Sequence, residues 1–307
     1  MPHIVISEFM DAAAVARLQR DFDVLFDPGL VDRPQELEQA LADAGALIVR
    51  NRTQVRGAFL EAATRLRVVG RLGVGLDNID LEACRARGIE VIPATGANAQ
   101  AVAEYVICMS MLLLRGVFLA SAQVAAGEWP RAALSNGREA GGKTLGLVGF
   151  GGIGQLTARL AQGLGMEVLA HDPHLSGGVP GDLRATLVDL PDLLGRADAV
   201  SLHVPLTPDT ANLLSRERLE QMKPGAVLIN TARGGIVDEH ALAELLRAGH
   251  LGGAALDVYT NEPLSAGSPL AGAPNLVLTP HVAGVTAESN QRVSSLIAER
   301  VAAFLSS

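Results

Sequence analysis

Short apolar runs alternate with segments of helical periodicity along the first hundred residues: His3–Ile6, Ala12–Arg20, Asp23–Phe26, Pro34–Ala42, Ala46–Val49, Gly57–Thr64, Arg67–Val69, Leu81–Arg87 and Glu90–Ile92. Strand-length runs separated by helical ones predict a parallel sheet with helices on both faces. The rhythm resumes after Gly142, with strands expected at Thr144–Val148, Glu167–Ala170, Ala199–His203, Ala226–Asn230, Gly253–Asp257 and Asn275–Leu278. The chain therefore reads as α/β, with two doubly wound parallel-sheet domains. Between the two series, Ala99–Arg115 is a long helix pattern with little polar surface beyond Gln100, Glu104 and Ser110. A helix apolar nearly all round needs cover, and a twofold partner subunit would supply part of it. Thr286–Leu305 is again helical and is expected to return the chain to the first domain.

The second series opens with a run that breaks into Gly149-x-Gly151-x-x-Gly154 and continues as a helix from Gln155. A dinucleotide diphosphate needs this layout. The first glycine permits the tight turn, the second lets backbone approach phosphate, and the third lets the helix pack closely on its strand. Gly149, Gly151, Gly152, Ile153 and Gly154 are thus cofactor-binding candidates. Asp172 stands at the end of the next strand, eighteen residues beyond Gly154, near the offset of a ribose-binding carboxylate. A carboxylate there accepts from both ribose hydroxyls and repels a 2′-phosphate, so NAD is expected rather than NADP.

Composition narrows the partners. The 307 residues exceed the roughly 250 at which single cores stop growing, which supports two domains. Hydrophobic residues are 49% and charged ones 19%, a globular balance. Aromatics at 3% and a net charge of −8 oppose nucleic-acid binding. Cys84 and Cys108 are expected to be small buried hydrophobes, not a disulfide or a zinc site. The N-terminal Met-Pro-His-Ile-Val-Ile has no basic flank, so it is not read as a secretory signal. The longest apolar run, Tyr105 to Leu114, falls well short of the approximately 20 residues that span a bilayer. A soluble cytoplasmic protein is the expectation, with no metal.

Ligands in open α/β sheets bind beyond the carboxyl ends of the strands, so polar residues just after strands carry the candidate chemistry. Arg233, Glu262 and His281 follow three successive expected strands. Each alone also fits a turn cap, a solvated carboxylate or a loop histidine. Their joint appearance in a dinucleotide fold favours a catalytic set. In such a set His281 could exchange a proton with a ligand, Glu262 could orient the imidazole, and Arg233 could pair with an anionic group.

The motifs Leu72-Gly-Val-Gly-Leu-Asp-Asn-Ile-Asp80, the glycine loop, His203-Val-Pro-Leu-Thr-Pro208, Asn230-Thr-Ala-Arg-Gly-Gly-Ile-Val-Asp-Glu239, Ala255-Leu-Asp-Val-Tyr-Thr-Asn-Glu-Pro263 and Pro280-His-Val-Ala-Gly284 occur in one order over nearly the full chain. In this the sequence resembles the D-isomer-specific 2-hydroxyacid dehydrogenases, and within them the phosphoglycerate dehydrogenase branch. The resemblance implies a discontinuous flavodoxin-like substrate domain (1–98 plus 285–307), a Rossmann NAD-binding domain (99–284), a homodimer and the Arg/Glu/His set. It also implies a second carboxylate anchor at the amides of Gly73, Val74 and Gly75. Asp257 is implied at the nicotinamide side, with Val204, Pro205, Thr231, Ala232, Ala283 and Gly284 lining the cofactor beside Arg233 and His281. Some members of that branch carry a C-terminal serine-sensing domain; this chain ends after one closing helix, so serine feedback is not expected.

One cluster points to the far end of the substrate. Ala46–Val49 empties into Arg50-Asn-Arg-Thr53, followed by Arg56. Arg50 and Arg52 are candidates for a second anionic group, whereas Arg56 reads as a solvated or salt-bridged residue. Doubly anionic 2-hydroxy acids that fit include 3-phosphoglycerate, 3-sulfolactate, malate and 2-hydroxyglutarate, and the residues do not separate them. Two other readings of the same fold stand beside the dehydrogenase: an NAD-sensing corepressor, and hydride transfer from phosphite or formate. The chain shows no added partner-binding segment, and formate enzymes of this fold look longer at the N-terminus.

Overall fold

The computed structural model describes residues 3–175 and 177–307. Met1 and Pro2, which head the N-terminal stretch read above, lie outside the described residues. The chain divides into two compact units, Met1–Asn98 with Val285–Ser307, and Ala99–Gly284.

In the first unit the elements run β1 (His3–Ile6), α1 (Ala12–Leu18), β2 (Asp23–Phe26), α2 (Pro34–Leu41), β3 (Ala44–Val49), α3 (Gly57–Ala62), β4 (Val68–Arg71), α4 (Leu81–Ala86) and β5 (Glu90–Pro93). The five strands form one parallel sheet in the order β2-β1-β3-β4-β5. That is the flavodoxin-like order, with its switch point between β1 and β3. All six residues of β3 are buried, whereas the edge strand β2 alternates exposed and half-buried positions. Covering both faces makes a central parallel strand continuously apolar.

In the second unit α5 (Ala99–Arg115) and α6 (Ser121–Ala125) precede β6 (Thr144–Val148), α7 (Gly152–Gly163), β7 (Glu167–His171), β8 (Thr186–Leu187), α8 (Leu190–Arg196), β9 (Ala199–Leu202), α9 (Arg216–Glu220), β10 (Val227–Asn230), α10 (Glu239–Arg247), β11 (Gly253–Leu256) and β12 (Leu276–Leu278). The seven-stranded parallel sheet has the order β12-β11-β10-β9-β6-β7-β8. Counted from β6 this is the dinucleotide-binding order, and the strand direction of travel reverses between β6 and β9. The last helix, α11 (Ala287–Ser306), belongs to the first unit, where Val293, Ile297, Val301 and Leu305 are buried. Gly70 on β4 makes room for it: a Cβ there would stand 2.7 Å from Ile297 Cγ2 and 2.9 Å from Val301 Cγ2.

The cysteine expectation needs correction. Cys84 is buried but Cys108 is exposed. On α5 the buried stripe runs through Val102, Val106 and Leu113, while Glu104, Cys108, Met111 and Arg115 lie on the opposite, exposed row. Spacings of four, three and four residues keep those positions on one helix face. The all-apolar reading hid that row because Cys and Met count as hydrophobic wherever they fall.

Candidate active site

The glycine loop joins β6 to α7 at the sheet's reversal point. Gly149 has φ +94°, which a side chain rarely adopts, and a Cβ on it would lie 2.7 Å from the His203 carbonyl oxygen. A Cβ on Gly154 would come within 2.5 Å of the Gly149 carbonyl oxygen, so the third glycine sets how tightly α7 meets its strand. Gly151 and Gly152 differ: an added Cβ would meet nothing within 4 Å. Helix α7 has Gly151 at its N-cap and no side-chain cap, while α1, α4, α8, α10 and α11 are capped by Asp11, Asp80, Asp189, Asp238 and Thr286. Its first N–H groups and the positive end of its dipole are therefore open to an anion. Open space at the second glycine beside an uncapped helix fits a dinucleotide diphosphate.

Asp172 follows β7 and receives the Phe150 N–H at 2.8 Å and the His174 N–H at 2.9 Å, one on each carboxylate oxygen. It thus ties the glycine loop to the end of β7, where the ribose carboxylate was expected. Across the reversal point, His203, Val204 and Pro205 follow β9 directly, and Thr231 and Ala232 follow β10, whose Asn230 pairs in register with Leu202. Two polar atoms here, His203 Nε2 and Thr231 Oγ1, are buried without a hydrogen-bond partner among the described residues. Buried polar atoms are ordinarily paired, so this part of the crevice also fits a polar ligand. Burial pulls the His203 imidazole down from 6.5 to about 4, which keeps it neutral.

The three catalytic candidates sit on loops after β10, β11 and β12. Asn230 shapes the first of these: its side chain accepts the Ala232 N–H at 3.0 Å and donates to the Arg233 carbonyl at 2.9 Å. The Arg233 Nη1 donates to the Ala232 carbonyl at 2.6 Å. Gly234 then passes so near the next loop that a Cβ would lie 1.8 Å from the Tyr259 carbonyl oxygen. Glu262 Oε1 accepts the Tyr259 N–H at 3.1 Å, and its Oε2 lies 2.8 Å from His281 Nδ1. His281 and Glu262 are thus paired directly, with their side chains 43% and 35% exposed. The turn of Arg233 reaches them through the Gly234–Tyr259 contact.

His281 itself has φ +56°. A non-glycine residue in that region costs free energy and persists only where neighbours enforce it. The enforcing group is Asp257, 1% exposed. One of its oxygens accepts from the Val282 N–H at 2.8 Å and the Thr279 hydroxyl at 2.6 Å, and the other from the Ala283 N–H at 2.8 Å. Tyr105 and Tyr259 complete the support through Thr279, at 2.6 Å to its hydroxyl and 2.9 Å to its carbonyl. Burial, followed by the Asp257 charge, pushes the Tyr259 phenol up to about 12. The carboxylate expected against the nicotinamide also holds the loop that presents His281. Ala283 and Gly284 continue the loop, and Gly284 has contacts of its own.

The candidates of the first unit separate. Arg50 is partly buried, donates to Asn290 Oδ1 at 2.7 Å and stacks 5.7 Å from the Phe9 ring centre. Among the described residues it makes no direct ion pair. Burial lowers its pKa from the usual value, against the nearby Glu8 charge. Arg52, in contrast, is exposed and forks onto both oxygens of Asp32. Arg56 donates to the Asp77 carbonyl of its own unit. The Gly73 amide is taken by the Arg71 carbonyl at 2.8 Å, whereas Val74 is 38% exposed at the tip of that loop. Among the described residues no cluster of His, Cys, Asp and Glu has the makings of a metal site, and no helix is long and apolar enough to cross a membrane.

Sequence reasoning missed Asn230, Gly234, the holding role of Asp257, and Glu8. A buried carboxylate seven residues after Met1 in a strand–loop pattern was the only signal for the last, and pattern alone does not reveal burial.

Comparison with known proteins agrees with this geometry. Residues 107–283 match the family model for the D-isomer specific 2-hydroxyacid dehydrogenase, NAD binding domain. The chain is 56% identical over 306 residues to a (S)-sulfolactate dehydrogenase of Chromohalobacter salexigens, covering 98% of this chain and 97% of that one. It is 40% identical over 303 residues to D-3-phosphoglycerate dehydrogenase of Mycobacterium tuberculosis, covering 98% of this chain but only 56% of that longer protein. Among solved structures, the TT0316 protein of Thermus thermophilus superposes with a TM-score of 0.88 at 37% identity, covering 99% and 97% of the two chains. A formate dehydrogenase of Staphylococcus aureus in complex with NAD superposes at 0.82 with 29% identity, covering 99% and 96%. These relatives do not favour the corepressor reading or the formate and phosphite reading. With a family model matched over more than half its length and a relative 56% identical across nearly all of it, the chain belongs to the D-isomer specific 2-hydroxyacid dehydrogenases, NAD-dependent oxidoreductases that act on a CH–OH group.

Proposed function

We propose that the protein interconverts (S)-sulfolactate and its 2-oxo acid, with Arg233, Glu262 and His281 as the catalytic set. The identity with the sulfolactate dehydrogenase over nearly the whole of both chains carries this reading. The sulfur of sulfolactate changes substituent priority, so the D-like shape bears the label S. Phosphoglycerate dehydrogenases, matched at lower identity and over about half of their own length, make 3-phosphoglycerate the second reading.

Glu262 holds Nδ1 of His281, which leaves Nε2 to take the proton of the 2-hydroxyl during oxidation and return it during reduction. The Arg233 guanidinium pairs with the substrate carboxylate and polarises the C2 oxygen, a task suited to a planar fork of donors. NAD, when bound, supplies the acceptor for hydride from C2. The amides of Val74 and Gly75 form the second carboxylate anchor, the Gly73 amide being held by the Arg71 carbonyl, and Arg50 takes the sulfonate. The glycine loop, Asp172, Val204, Pro205, Thr231, Ala232, Ala283 and Gly284 hold the cofactor.

The exposed apolar side chains Met111, Phe118, Val124 and Trp129, at 44%, 60%, 45% and 78%, support a homodimer built on the second unit. Net charge and aromatic content support small acids over nucleic acids as ligands. The protein acts in the cytoplasm, where its cofactor is available. A panel of 2-hydroxy acids assayed with NAD by the absorbance of NADH tests the reading. Turnover of sulfolactate well above lactate, malate and 3-phosphoglycerate is expected, and preference for any of those three would replace it.

A further inference from the structure

The turn Arg50–Thr53 is built on an internal carboxylate. Glu8, 5% exposed, accepts four successive backbone N–H groups: Arg50 at 2.9 Å and Thr53 at 3.0 Å on Oε1, Arg52 at 3.1 Å and Asn51 at 3.3 Å on Oε2. Convergent amides of this kind form an anion nest, and here the protein fills it with its own side chain. The neighbouring Thr53 hydroxyl is bonded to Ser7 at 2.9 Å, and Asn78 donates to the Thr53 and Arg50 carbonyls at 2.7 and 3.3 Å. The turn's four N–H groups are therefore all engaged, and its side chains are the donors left to receive an anionic ligand. Those side chains are charge-matched. Arg52 is forked on Asp32, and Arg50, without a direct ion pair among the described residues, lies within the field of the Glu8 carboxylate that its own N–H binds. Arg33, which also acts on Asp32, is itself paired with Asp27 and Glu36. Two guanidiniums and two carboxylates leave the turn without net charge.

We propose that Glu8 and Asp32 are specificity determinants, trimming the charge of the Arg50–Thr53 turn so that it receives a monoanionic sulfonate in preference to a dianionic phosphate. This rests on the reading above that Arg50 meets the substrate's second anionic group. Sulfonate and phosphate monoester share three acceptor oxygens in a tetrahedral fork and differ mainly in charge. A sulfonate carries one negative charge at every relevant pH, whereas a phosphate monoester gains its second near pH ~6. Each extra ligand charge gains from a nearby cation but loses part of that gain to repulsion by the carboxylate paired with it, and it still costs desolvation. Where the arginines already have carboxylate partners, the second phosphate charge gains less while its desolvation cost is unchanged.

The test compares kcat/KM for (S)-sulfolactate and D-3-phosphoglycerate in the wild-type enzyme and in Asp32→Asn. Asp32 is exposed, so this variant folds, and 2-hydroxybutanoate, which lacks a second anion, measures the active fraction of each preparation. Releasing Arg52 from its partner is expected to raise the phosphoglycerate-to-sulfolactate ratio about five-fold at low salt. The gain should vanish near pH ~5.5, where the phosphate is a monoanion. Glu8→Gln should move the ratio the same way. An unchanged ratio at pH ~8 in an enzyme that turns over sulfolactate overturns this inference alone. Turnover of 2-hydroxybutanoate with neither doubly anionic acid accepted overturns both it and the substrate reading.

Discussion

His281 Nδ1 lies 2.8 Å from Glu262 Oε2, while the other oxygen of that carboxylate is held by the Tyr259 N–H. The pair is oriented from both ends, because the backbone of His281 is also fixed in a left-handed conformation by the Asp257 carboxylate beneath it. A base held this way loses little entropy in presenting one ring nitrogen.

Glu262→Gln should therefore lower kcat by about 10²-fold, and His281→Ala by up to about 10⁴-fold, the range of a positioned acid–base group. Both should leave the NAD dissociation constant near that of the parent, because neither residue touches the glycine loop. Fluorescence titration with NADH alongside steady-state kinetics checks this. Parallel loss of cofactor affinity and turnover in His281→Ala would contradict the assigned role.

Much of the fold was legible because parallel strands buried on both faces write themselves as apolar runs, and β1, β2 and β6 have the bounds read from the pattern. Strand β8 was not, since Thr186 and Leu187 are both exposed and carry no burial signal. The Arg233, Glu262 and His281 positions were legible from their place after strands. What supports them was not. Gly234 is needed only because a carbonyl from another loop arrives at the same point, and Asp257 holds amides twenty-five and twenty-six residues away. The Arg50 and Arg52 pair looked uniform because Asp32, the partner that distinguishes them, lies twenty residues upstream.

Two identical substitutions should have opposite consequences. Gly151→Ala adds a methyl to open space with no backbone strain, so stability should change by less than about 0.5 kcal/mol. The methyl would nevertheless occupy the approach to the diphosphate, raising KM for NAD about ten-fold. Gly234→Ala places the methyl on the Tyr259 carbonyl and should cost about 3 kcal/mol, with loss of turnover as the Arg233 turn is displaced. Chemical denaturation and NAD kinetics on both variants decide this, and equal destabilisation of the two would show that the loop packing is misread.

Asp172→Ala should reduce the preference for NAD over NADP by about ten-fold or more, the worth of one charged hydrogen-bonded contact. The same carboxylate holds the Phe150 and His174 amides, so the variant should also bind NAD less tightly. Ratios of kcat/KM for the two cofactors separate the effects. A general weakening with an unchanged ratio would make Asp172 a loop tie and no more.

His203 offers a prediction about pH. Its imidazole is neutral in the folded protein, with a pKa of about 4 set by burial, against 6.5 when exposed on unfolding. Between those values the unfolded chain binds a proton that the native state does not, so stability rises with pH there. The contribution is complete above pH 6.5 and is lost as pH falls toward 4, a total of about 3 kcal/mol. His203→Gln keeps a polar side chain of similar reach but cannot titrate, so this acid-side decline should be about 3 kcal/mol shallower in the variant. Urea denaturation of both proteins at neutral pH and near pH 4 measures the difference. Parallel stability curves would mean that the imidazole is solvated or finds a partner when charged.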